Sequence, residues 1–189
     1  MIPSLSETTT GLYGALRLLR GDEGGLAYFD ASYEGFWKSF FAAVLVLPGF
    51  VAFAYFDPRP ITAGPLRIVV VEASALVIGW TAFPLVMYHI TRAIDREARF
   101  RLHIVAYNWS QAIQIVIALP LLLSVERLGL LPKGISSLLE LTVMIGLGLY
   151  EWFIARCALN LPGLGAFGVV LLSFMIAILL GEFSHALLR

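Results

Sequence analysis

Five mostly apolar stretches, at about 36–56, 67–91, 102–124, 135–156 and 163–187, restrict the folding of this chain more than any other feature. Each has the length, roughly 20 residues, that a helix needs to cross the hydrocarbon layer of a bilayer. No water is available there to satisfy backbone amides, so segments of this length must close their hydrogen bonds internally as helices. The connections are short and rich in helix breakers: "DPRPITAGP" after the first stretch, "RLGLLPKG" after the third, "NLPG" after the fourth. The predicted fold is all-α, a polytopic membrane helix bundle. Residues 34–189 supply five transmembrane helices, and residues 1–33 form an N-terminal amphipathic, interfacial segment. Composition agrees, with 59% hydrophobic and 14% charged residues, where a soluble domain carries about 25% charged.

Charge placement predicts the orientation. With five spans, the N-terminal region and the second and fourth connections share a side. That side carries Arg17, Arg20, Lys38, Arg92, Arg96, Arg99, Arg101 and Arg156, against Arg59, Arg67, Arg127, Lys133 and Arg189 on the other. The positive-inside rule then puts the N-terminus in the cytoplasm and the C-terminus in the periplasm. Arg outnumbers Lys by 11 to 2, a compositional mark read here as bacterial, so the expected location is a bacterial inner membrane. The first thirty residues lack the basic region, apolar core and cleavage site of a signal peptide. Net charge is zero, which gives no basic excess for a nucleic-acid partner. The single cysteine, Cys157, excludes an intrachain disulfide.

The N-terminal "TTTGLYGALRLLR" places Leu12, Leu16 and Leu19 at helical spacing beside Arg17 and Arg20. This pattern fits either a docking helix or a loose amphipathic leader on the membrane surface. Tyr28, Phe29, Tyr33, Phe36 and Trp37 make an aromatic cluster suited to the interface. Between spans two and three, "TRAIDREARFR" has no Pro or Gly and can extend both helices as a hairpin beyond the bilayer. Its Arg92, Arg96, Arg99 and Arg101 form a surface for anionic headgroups or a protein partner, at about 1 kcal/mol per basic residue.

The third span opens with "VAYNWSQAIQ". At about 100° per residue, Tyr107, Asn108, Ser110, Gln111 and Gln114 share one side, with Trp109 and Pro120 roughly opposite. Such a stripe should face the bundle interior, as hydrogen-bonding glue between helices or as the lining of a solute path. Ser74, Thr81 and Glu151 are candidate partners. Pro48, Pro84 and Pro120 each remove an amide donor inside a span. Their freed carbonyls predict kinks that face protein.

Acids inside spans mark either function or pairing. Glu72, Glu140, Glu151 and Glu182 are the candidates, with Arg67, Arg127 or Lys133 as possible counter-charges. Glu182 and His185 form E-x-x-H, half of the pattern that binds two metals in helical bundles. The second half is missing, so no metal site or cofactor is assigned. His89 and His103 flank the charged turn, where haem ligation is conceivable but the depth is wrong for a buried haem. "GLGAFG" at 163–168 has dinucleotide-motif spacing but no preceding strand. With Gly146 and Gly148, its glycines instead predict close packing of spans four and five. No nucleophile–base–orienter set is present, so the chain is not read as an enzyme.

The plan resembles the Yip-domain family of small polytopic membrane proteins. The resemblance rests on five spans with a cytoplasmic N-terminus, on Tyr107 to Pro120 in span three, and on the glycine-rich Gly163 to Gly168 entry to span five. It covers about residues 34–187. The longer acidic N-terminus of eukaryotic members is absent, and "GLYGA" at 11–15 only echoes their "LYGP" feature. Eukaryotic relatives act in membrane traffic and bind small GTPases, a function that does not carry over to a bacterial chain, and no residue role transfers. The expected function is that of a non-catalytic accessory, scaffold or lipid-organising membrane protein. Its expected partners are the bilayer, anionic headgroups, other membrane proteins or a second copy. Alternatives are a small-solute or proton-coupled transporter using the stripe and the acids, or a metal- or haem-binding membrane protein.

Overall fold

A computed structural model describes residues 2–56, 62–122 and 132–189. Residues 57–61 and 123–131, which include parts of the expected first and third connections, Arg59, Arg127 and the last two positions of the third predicted span, lie outside the described residues. Every regular element among the described residues is helical: α1 Leu5–Leu19, α2 Tyr33–Ser39, α3 Ala42–Phe56, α4 Pro65–Ala93, α5 Phe100–Leu122, α6 Lys133–Leu159 and α7 Gly163–Leu188. Short 3-10 turns occupy Glu23–Tyr28 and Glu97–Arg99. Five segments are long and apolar enough to cross a membrane. The protein is an all-helical, multi-pass bundle.

Local chemistry sets the boundaries. Ser4 caps α1 in a reciprocal box, its hydroxyl accepting from the Glu7 amide at 3.2 Å while the Glu7 carboxylate accepts from the Ser4 amide at 2.7 Å, which satisfies two free amides at once. Ser32 caps α2 with its hydroxyl alone, accepting from the Gly35 amide at 3.0 Å. Asn160 ends α6 in the left-handed region, at φ 53°, a conformation that Asn tolerates better than most side chains. The first span is divided: α2 stops at Ser39 and α3 restarts at Ala42. The charged turn is also tighter than a helical hairpin. Asp95 takes φ 57°, and the Arg96 amide returns to the Thr91 carbonyl at 2.7 Å, so α4 ends at Ala93.

Helix α5 is the hub, packed against α1, α2, α3 and α6 and more lightly against α4, while α7 joins α4 to α6. Two apolar cores flank it. One joins Ala15, Leu18 and Phe29 to Ala42, Val105, Ala106, Trp109, Tyr150 and Ile154. The other joins Phe83 and Met87 of α4 to Ile104, Ala155, Leu159, Ala166 and Val169. Outward faces carry Leu66, Val69, Val77, Leu138, Met144, Leu164, Phe174 and Leu179, all exposed, as a lipid-facing surface requires.

Several expectations change. The N-terminal helix docks into the bundle, with Leu12 and Leu19 of its stripe packed at the margin of the contact and not at its centre. Gly11, Gly14, Ala15 and Leu18 are the buried positions, so the contact face is the one with the smallest side chains. A Cβ on Gly11 would sit 2.6 Å from the Trp109 ring. Small residues bring backbones close, and contact area replaces side-chain bulk. The Tyr150 hydroxyl seals this contact by donating to the Ala15 carbonyl at 2.7 Å. In contrast, Gly146, Gly148 and Gly168 have open space where a side chain would stand, and only Gly163 meets the neighbouring span, with Trp152 at 3.3 Å. Close packing of α6 on α7 therefore does not run through those glycines. Pro84 is buried, but Pro48 and Pro120 are exposed. Among the described residues, the main contact of helix α3 with another span is with α5.

Candidate functional site

The polar stripe of α5 does not act as one surface. Asn108 turns toward the first span, and its side-chain amide donates to Ser39 Oγ at 2.9 Å between two buried side chains. Ser110 donates back to the Tyr107 carbonyl of its own helix at 2.7 Å. Gln111 and Gln114 turn toward α6. Their amide nitrogens lie 3.4 and 3.2 Å from Glu151 Oε1. Ser173 of α7 donates to the other oxygen, Glu151 Oε2, at 2.9 Å. Tyr107 stacks on Phe83 of α4 with centroids 4.2 Å apart, and its side chain also adjoins Ser173. One carboxylate of α6 thus gathers side chains from two other spans. A hydrogen-bond donor aimed at an acid is worth more than one aimed at a neutral acceptor.

The candidate site is this Glu151 knot. Gln111, Gln114, Ser173 and Glu151 are all half-buried. Glu151 was one of three partners expected for the stripe. The other two, Ser74 and Thr81, donate to carbonyls of their own helix at Val70 and Val77. Ser39 and Ser173 escaped the sequence reading. Ser173 had a visible mark, as the one polar residue between 163 and 181. Ser39 had none beyond its place after the aromatic cluster.

The other acids stand apart from the knot. Glu72 of α4 accepts from Ser184 of α7 at 2.9 Å. Glu140 and Glu182 are exposed. Arg127, an expected counter-charge, lies outside the described residues. His185 is buried, and its Nε2 accepts from Arg189 Nε at 3.1 Å. Among the described residues, no three His, Cys, Asp or Glu side chains converge as metal ligands. His89 is exposed, whereas His103 is buried against Phe83 and Tyr107, so the two histidines of the turn occupy different surroundings.

At the turn, Arg92, Arg99 and Arg101 are exposed and Arg96 is half-buried. Arg92 lies 3.8 Å from Glu97. Arg99 reaches the Ala158 carbonyl at 3.3 Å and so tethers the turn to the end of α6. Beside α1, Lys38 binds both Glu7, at 2.7 Å, and Glu34, at 2.6 Å. Lys38 and the Ser4 amide hold the Glu7 carboxyl down, at about 2. The Arg17 guanidinium beside Asp22 holds that carboxyl below its ordinary range. A cleft of about 150 Å³ opens between these elements, with Glu7, Asp30 and Lys38 at its edge and Gly11, Phe29 and Trp109 on its walls.

Comparison with protein-family models, with curated proteins and with solved structures finds no match for this chain.

Proposed function

We propose that this is a non-catalytic integral membrane protein of a bacterial inner membrane, acting as an accessory, scaffold or lipid-organising component. The N-terminus would lie in the cytoplasm and the C-terminus in the periplasm. The supporting observation is how the third span uses its polar side chains. Asn108, Gln111 and Gln114 direct their amides to Ser39 and Glu151 on neighbouring helices. Side chains committed in this way hold helices in register, and neutral amides alone define neither an ion nor a substrate. The docked α1 and the exposed arginines of the turn then serve as contact surfaces, toward other membrane proteins, a second copy or anionic headgroups. The five-span plan that resembles Yip-domain proteins fits such a role.

Reconstitution into sealed vesicles tests this reading. The expected result is no solute or proton flux under any imposed gradient, and a loss of stability in Gln111→Leu. Flux in the native protein that vanishes in a folded Gln111→Leu variant would replace the scaffold with a transporter.

A further inference from the structure

Glu151 is the only Asp, Glu, Lys, Arg or His within residues 73–88 of α4, 104–122 of α5, 141–155 of α6 and 163–181 of α7. No counter-charge therefore exists at its depth in these four helices. Holding helices together does not require an ionisable group. A Gln at this position would offer donors and an acceptor without bringing a charge into the bilayer, which costs about 2.5–3.5 kcal/mol for an acid at mid-helix. The presence of an acid asks for a reason beyond adhesion.

Its surroundings satisfy two protonation states. Oε1 receives the Gln111 and Gln114 amides, which are donors in either state. Oε2 faces the Ser173 hydroxyl at 2.9 Å. A hydroxyl donates to a carboxylate and, after rotation about its C–O bond, accepts from a carboxylic acid. Tyr107, adjoining Ser173, offers a further hydroxyl to take the proton that Ser173 then re-aims. The ionised form has three donors. The protonated form has two donors and one acceptor. Neither leaves an oxygen of the carboxyl group unserved.

We infer that Glu151 is a reversible proton-binding site within the membrane, with Ser173 as the hydroxyl that reverses between the two states. The step is carboxylate plus a proton from water giving carboxylic acid, with no other reactant. The groups facing Glu151 are few. Helix α5 presents Tyr107, with His103 beyond it at 6.4 Å between ring centroids. Helix α7 presents Ser173 and no titratable side chain between 163 and 181. Helix α4 presents Phe83, stacked on Tyr107, and no Asp, Glu, Lys, Arg or His between 73 and 88. Helix α1 meets α6 through Tyr150, the residue before Glu151, and its Arg17 is paired with Asp22. All four members of the knot are half-buried. The site does not depend on the scaffold reading, because a scaffold and a transporter would each be compatible with it.

Infrared difference spectra of the whole protein in bilayers, taken between about pH 4 and pH 9, provide the test. Among the bands of the chain's 13 Asp and Glu side chains, one protonated-carboxyl C=O band should grow and fade with pH and be missing from Glu151→Gln. Ser173→Ala keeps the acid and serves if Glu151→Gln fails to fold. It should move the titration midpoint by about one pH unit, a tenfold change in proton affinity. Spectra in which Glu151→Gln loses no pH-dependent carboxyl band, or a midpoint unmoved by Ser173→Ala, overturn the inference.

Discussion

Replacing Gly11 with Leu should lift α1 from the bundle. Any Cβ at this position meets three atoms of the Trp109 indole at 2.6–2.8 Å, closer than side chains approach in folded proteins. The indole is rigid and only 4% exposed, so it has little room to swing away. The isobutyl group of Leu adds three more carbons against the same wall. Overpacking of this kind costs about 1–3 kcal/mol. The helix itself gains up to about 1 kcal/mol from losing a glycine, which the clash offsets. The net change should raise hydrogen exchange of the α1 amides, measured in lipid nanodiscs, up to about 30-fold for a 2 kcal/mol loss of docking. Thr9→Leu places the same side chain at an exposed position of the same helix and should leave exchange nearly unchanged. Equal protection of α1 in the native protein and in Gly11→Leu would refute a docked small-residue face.

Tyr150→Phe removes the donor to the Ala15 carbonyl and should loosen α1 by about 0.5–1.5 kcal/mol, read by the same exchange experiment. Acid should act on the N-terminus through Glu7. Its folded pKa of about 2 lies below the ordinary value of 4.5, so its contribution is present above the unfolded pKa and is lost as pH falls from about 4.5 toward 2. Glu7→Gln should abolish that part of the pH dependence of α1 protection. Reporter fusions after residues 62 and 189 should report the periplasm, and one after residue 97 the cytoplasm. The opposite pattern would invert the orientation.

The spans were legible because hydrophobic length is a sum over many residues, and five such sums stand far above the connections. The helices follow them closely, with α4 at Pro65–Ala93 against a predicted 67–91 and α7 at Gly163–Leu188 against 163–187. Single-residue decisions were not legible in this way. The break at Phe40 and Phe41 between α2 and α3 has no proline or glycine to announce it. The centre of the docking face of α1 was hidden because Gly11 and Gly14 offer no side chain to notice, and Leu18 lies off the stripe of Leu12, Leu16 and Leu19. Once a neighbour supplies Trp109, an absent side chain makes the closer contact. The glycines of α6 and α7 show the converse, since a small residue permits an approach without requiring one. For the site, the angular argument correctly turned Gln111 and Gln114 inward together. It could not show that Asn108, on the same stripe, would serve a different helix, because α5 is surrounded and has neighbours on several sides.

The central claim is that the polar side chains of the third span fasten it to its neighbours. A double-mutant cycle on Gln114→Leu and Glu151→Leu, with unfolding measured in bilayers, tests it most directly. Hydrogen-bonded pairs in membrane proteins couple by about 0.6 kcal/mol on average and up to about 1.7. The 3.2 Å contact between these side chains predicts a favourable coupling within that range. Additive effects, with no coupling between the two positions, would contradict the account.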